Sequence, residues 1–152
     1  MGTALASGKL ESAKKFYDAG EYKESISLLK DITKQEPSNA AAWILMGNGF
    51  LRLGKAKKAI NAFGKTLAIA PENEEAFFGL GLAYGRMRKH QNAIEAFKKA
   101  IEINPEYARA HFELGVVYDR ISNISYAFEQ YRILKTLDKT LADRLYHIIL
   151  GN

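Results

Sequence analysis

The residues best suited to chemistry in this chain are three histidines, a glycine-rich run and a scatter of carboxylates. His90, His111 and His147 are far apart, and none is followed at i+3 or i+4 by the second ligand that a helix-borne metal site needs. The run from Gly79 through Gly81 to Gly85 imitates a dinucleotide-binding fingerprint, but its third glycine falls one residue late and no strand precedes it. No serine stands in a nucleophile elbow. Each carboxylate sits on a charged helical face, where solvation or a local ion pair explains it better than proton transfer. The chain has no cysteine, which removes thiolate nucleophiles, disulfides and cysteine-ligated zinc together. The residues therefore predict a non-enzymatic protein with no cofactor and no metal.

The elements that position these residues follow from composition and period. With 152 residues, 47% apolar and 26% charged, the chain reads as one soluble globular domain over 1–152. Its net charge of +5 is spread along the chain and not gathered in a run, a mild preference for acidic partners. The uncharged stretch from Ser38 to Leu51 is too short to span a bilayer, and the first residues do not resemble a signal peptide, so a cytoplasmic location is expected.

Pro37, Pro71 and Pro105 recur at intervals of 34 and divide the chain into blocks at 6–39, 40–73, 74–107 and 108–141. Gly47, Gly81 and Gly115 align in these blocks, as do Phe50, Tyr84 and Tyr118, then Ala59, Ala93 and Ala127, then Phe63, Phe97 and Tyr131. Each block holds two apolar patterns of helical period, broken near Gly20, Gly54, Arg88 or Ser122, and the first three close with proline. Every block is thus predicted to be a helical hairpin. Asn39 and Asn73 are placed to cap the following helices. The aligned glycines imply a close approach of backbones, with the aligned alanines as the opposite wall. Thr140 and Asp143 suit a capping box opening a last helix over about 140–150.

This pattern resembles the tetratricopeptide repeat. Trp43, Met46, Gly47, Phe50, Ala59, Phe63 and Pro71 carry the resemblance in the second block, and Phe77, Leu80, Gly81, Tyr84, Ala93, Phe97, Ala100 and Pro105 in the third. The first block departs at Lys9, Ser12 and Ala13, and the fourth has His111 at the Trp43 position and Lys139 in place of proline. Departures at the ends suit repeats with one side toward water. The resemblance implies an all-α, right-handed superhelical solenoid of four hairpins with a C-terminal capping helix, binding on the concave surface lined by each hairpin's first helix.

On that surface the helical spacing selects three rows. Leu10, Ile44, Phe78 and Phe112 form an apolar stripe, Lys14, Asn48, Leu82 and Val116 widen it, and Asp18, Arg52, Arg86 and Arg120 end in an arginine ladder. Gly79 and Gly85 are expected to deepen the middle. Ile44, Asn48, Arg52, Phe78, Leu82, Arg86, Phe112, Val116 and Arg120 are therefore the candidate contacts for a protein or peptide segment with apolar and acidic residues, bound with roughly micromolar affinity. The polar clamp by which some members of this family hold chaperone C-termini is not assembled. Leu10, Lys14, Leu45, Glu75 and Gly79 occupy its positions, or Ile44, Asn48, Gly79, Arg109 and Glu113 one block on. The alternative to an adaptor is a self-assembling scaffold, joined through the groove or through Ile148, Ile149 and Leu150. Nucleic acid is the weaker partner, because lysines alternate with acids such as Glu95 and Glu102.

Overall fold

The computed structural model describes residues 2–151, with side chains from residue 7 onward. Residues 1 and 152 of the expected domain lie outside the described residues. Among those described the chain is all α: α1 (Gly2–Asp18), α2 (Tyr22–Gln35), α3 (Ala40–Arg52), α4 (Ala56–Ile69), α5 (Glu74–Arg86), α6 (His90–Ile103), α7 (Ala108–Arg120), α8 (Ile124–Leu137) and α9 (Lys139–Ile149). The first residues of α3, α5 and α7 are the first residues of the second, third and fourth blocks. Asn39 and Asn73 cap as expected, accepting from the Ala42 and Ala76 amides at 3.0 and 2.8 Å. No helix among the described residues is long and apolar enough to cross a membrane.

The turn inside each hairpin is left-handed at the predicted break. Gly20, Gly54, Arg88 and Ser122 have φ of 81°, 71°, 58° and 60°. The next amide in each case returns to a carbonyl five residues back, at Phe16, Phe50, Tyr84 and Tyr118, over 2.8 to 3.0 Å. This is the Schellman arrangement that satisfies the last free carbonyls of a helix. Where Arg88 and Ser122 replace glycine, the same turn is held against the steric cost of a Cβ in that conformation.

Contacts group the chain into two compact units, Met1–Gly79 and Leu80–Asn152, the division falling within α5. In the first, Phe63 of α4 is completely buried between two helix backbones. A Cβ added at Gly47 of α3 would lie 2.6 Å from its ring, and one at Gly79 of α5 would overlap it. In the second, Gly81 meets the Phe97 ring in the same way, and Gly115 of α7 meets Leu145 of α9 and Gln130 of α8. Two expectations are corrected here. Gly47 and Gly81 face the ring that follows the aligned alanine by four residues, not the alanine, Gly115 faces Leu145 and Gln130, and Gly79 makes room for Phe63 instead of opening a groove.

The final helix also differs from its prediction. Asp138, not Thr140, caps it, accepting from the Leu141 amide at 3.0 Å, and the helix starts at Lys139. Leu145 stands at the block position of Trp43 and His111. It is fully buried with Phe112, Leu134 and Ala142 in a core to which Ile149 also packs. The helix that ends the array therefore lies against α7, where it covers a face that the period alone had left open.

Candidate functional site

Leu82, Gly85 and Arg86 follow one another at i, i+3 and i+4 on α5, and Glu113, Val116 and Arg120 at i, i+3 and i+7 on α7. Both sets share one face of their helix. In the second unit these six residues line a hollow of about 180 Å³, with the buried Phe97 also in its wall. Gly85 has no atom within 4 Å of where a Cβ would stand, so the space beside it is open. Leu82 and Val116 are half-buried, while Arg86 and Arg120 are exposed at the C-terminal ends of their helices, where a cation complements the macrodipole. The hollow thus has apolar walls and a guanidinium rim.

Its half-buried acid is Glu113. Burial raises the Glu113 carboxyl above its ordinary value, opposed by the charges of Arg120, Arg109 and Arg144. A folded state that favours the protonated acid is favoured below the ordinary carboxylate range and loses that contribution as pH rises through the raised value. The carboxylate has no hydrogen-bond or ion-pair partner among the described residues. Its identity broke no rule of pattern, since a glutamate on a first helix reads as solvated. The available signal was the period: Glu113 stands where Gly79 stands one block earlier.

The first unit arranges its candidates differently. Asn48 donates to Glu75 at 3.0 Å. Arg52 donates from Nε to the Tyr22 hydroxyl at 3.1 Å and lies 5.6 Å from the centre of that ring. Tyr17 meets Tyr22 edge to face at 5.3 Å, and burial raises its hydroxyl pKa against the nearby Arg52 charge. Ile44 is half-buried. Asn48 and Arg52 therefore have partners within the unit, and the two tyrosines beside them were not anticipated.

Phe78 and Phe112 do not form an open stripe. They are 4% and 7% exposed. For Phe112 the reason is α9, whose Leu145 shares its core and whose Arg144 guanidinium lies 4.8 Å from its ring centre. Of the nine candidates, Leu82, Arg86, Val116 and Arg120 come together at the hollow, and the two rings belong to the interior. The charge is also less even than expected. Residues 37–71 carry five basic residues and no acid, so this segment alone equals the net charge of +5.

Family comparisons agree with the repeat fold. The tetratricopeptide repeat model matches residues 74–107, a related repeat model 47–87, and another 96–129. The chain belongs to the tetratricopeptide repeat family. Among solved structures, MamA is 28% identical with a TM-score of 0.83, the match covering 90% of this chain and 80% of that one. TTC0263, a thermophilic tetratricopeptide repeat protein of Thermus thermophilus, is 20% identical over 96% of this chain and 82% of that one, with a TM-score of 0.82. The first tetratricopeptide repeat domain of Spaghetti (RPAP3), bound to the HSP90 peptide SRMEEVD, is 20% identical over 77% of this chain and 93% of that one, with a TM-score of 0.75. No curated protein sequence matches significantly. Within this tetratricopeptide repeat chain, the hollow is built from the first helices of its third and fourth repeats.

Proposed function

We propose that this tetratricopeptide repeat chain is a non-enzymatic adaptor that binds an extended segment of a partner protein on the first-helix face of its third and fourth repeats. The observation that carries this reading is the hollow, where Leu82 and Val116 supply apolar contact and Arg86 and Arg120 supply charge on the same face. A fold neighbour that holds a peptide, SRMEEVD, supports the mode of binding. The ligand of that neighbour is not transferred, because the clamp positions here carry Ile44, Asn48, Gly79, Arg109 and Glu113. With Phe78 and Phe112 withdrawn into the interior, two apolar side chains remain for contact, which makes the affinity expected for one segment weaker than the roughly micromolar value that three or four would give. Peptides selected from a displayed random library and titrated into isotope-labelled protein are expected to shift the amides of Leu82, Gly85, Val116 and Arg120. A library that yields no binder, or shifts confined to other helices, would overturn the reading.

Self-assembly is the second reading, and one observation favours it. Of the seven large apolar side chains exposed on the described surface, six lie between residues 121 and 150: Ile121, Ile124, Tyr126, Tyr146, Ile148 and Leu150. Such clustering marks an interaction surface. Ile149 is not part of it, since it packs inward on the Phe112 core. If copies associate there, sedimentation velocity will show concentration-dependent oligomers that the Ile148→Asp, Leu150→Asp double variant converts to monomer. A wild-type protein that remains monomeric at high concentration excludes this reading and leaves the adaptor untouched.

A further inference from the structure

The hollow is small. Pockets for drug-sized ligands run from about 300 to 1,000 Å³, so a space of about 180 Å³ suits one side chain of a longer segment. Besides the two guanidinium groups of the rim, its polar lining is one half-buried carboxylate that makes no hydrogen bond or ion pair among the described residues, although the charges of Arg120, Arg109 and Arg144 act on it. Partial burial of an acid costs stability, and its oxygens still reach the opening, where a charged donor can replace the water that meets them. The comparison within the chain sharpens the point. At the same period position the preceding repeat has Gly79, packed on the Phe63 ring, whereas here Glu113 and the Phe97 ring both line open space. Nothing in the helix requires an acid at this position.

Resting on the adaptor reading above, we infer that the hollow takes a lysine or arginine side chain of the partner segment, its aliphatic stem against Leu82 and Val116 and its charged end against Glu113, with acidic residues of the same segment facing Arg86 and Arg120. The rim decides the second half. Two exposed guanidinium groups repel an isolated cation, so a basic side chain enters only when its own neighbours carry negative charge. The preferred ligand is therefore a basic residue embedded in an acidic stretch, a pattern distinct from a terminal carboxylate or from an all-acidic tail. Long basic side chains suit this entry because their stems cover apolar surface while the head reaches a polar group.

The test compares the sequences selected by wild-type protein, Glu113→Gln and the Arg86→Glu, Arg120→Glu double variant from one displayed random-peptide library. Each consensus peptide is then synthesised with its basic residue either kept or replaced by norleucine. Wild type is expected to enrich lysine or arginine flanked by aspartate or glutamate, and to bind the norleucine version at least tenfold more weakly. Glu113→Gln should still select peptides but lose the preference for the basic residue, while unfolding at a temperature no lower than wild type. The double variant should lose the acidic flanks. If wild type selects binders with no basic residue, or if Glu113→Gln returns the same motif with the same norleucine penalty, the inference fails and the adaptor reading stands. If wild type selects no peptide at all, both fail.

Discussion

Phe63→Ala is expected to lower the unfolding midpoint by about 10 °C, and the same substitution should reverse the sign of what alanine does at Gly47 and Gly79. Phe63 is fully buried, and deleting such a ring costs about 3–5 kcal/mol through lost transfer energy and the cavity left behind. In the intact protein a methyl at Gly47 would come within 2.6 Å of that ring, and one at Gly79 would overlap it. Overpacking of this kind costs about 1–3 kcal/mol, more than the roughly 1 kcal/mol that alanine offers over glycine as a helix former. Once the ring is gone, the added methyl enters the cavity and the helical preference is no longer opposed. Gly79→Ala should therefore destabilise the wild type by about 1–2 kcal/mol and stabilise the Phe63→Ala variant by a similar amount. Denaturant titrations of the four proteins measure this directly. Equal signs in the two backgrounds would show that the ring is not what forbids a side chain on α3 and α5.

The same pair of glycines marks how far the sequence could be read. The period placed the helix starts at Ala40, Glu74 and Ala108, because proline and asparagine act locally on the backbone and their effect does not depend on what lies across the fold. The breaks near Gly20, Gly54, Arg88 and Ser122 were legible from where the apolar helical patterns stop, whereas the left-handed conformation of Arg88 and Ser122 was not. What failed was rotation about the helix axis. Phe78 was assigned to the surface and Gly79 to the groove, yet Phe78 is buried and Gly79 packs on Phe63. Adjacent helical positions differ by about 100°, so deciding which of two neighbours faces a third helix requires that helix's placement.

For Phe112 the missing information was α9, which continues the array by one helix and brings Leu145 and Arg144 onto α7. Its sequence announced a helix but not the surface it would cover. Leu82, Arg86, Val116 and Arg120 lie at the hollow, four and eight residues after Phe78 and Phe112, so spacing within α5 and α7 placed all six on shared rows but did not show which part of each row another element covers. Glu113 could be recognised only by asking why one repeat carries a glutamate where another has glycine. That contrast acquires meaning when Gly79 is seen against its ring and Glu113 against open space.

His111→Leu is the second change with a large expected effect, about 2–4 kcal/mol of lost stability, because it strands the buried Gln130 amide and takes a partner from the Pro105 carbonyl at once. His111 is 3% exposed, with Nδ1 at 2.8 Å from Gln130 Oε1 and Nε2 at 2.8 Å from the Pro105 carbonyl oxygen. The second repeat solves the same position with an indole: Trp43 donates from Nε1 to the Pro37 carbonyl at 2.8 Å. An imidazole reaches the equivalent carbonyl but brings a second nitrogen, and Gln130 answers it where the two preceding repeats have Ala62 and Ala96. The Gln130 amide can present either its oxygen or its nitrogen to the ring, so it can meet whichever role the facing nitrogen takes. The histidine and the glutamine are a matched pair, and removing one leaves the other desolvated without compensation.

Gln130→Ala alone should therefore destabilise, while His111→Trp with Gln130→Ala together should recover most of the loss by copying the Trp43 and Ala62 arrangement. Calorimetric midpoints for the two single variants and the double variant give the coupling, expected to be about 2 kcal/mol. Additive effects would mean that Gln130 is buried for its packing and not for the ring nitrogen it meets.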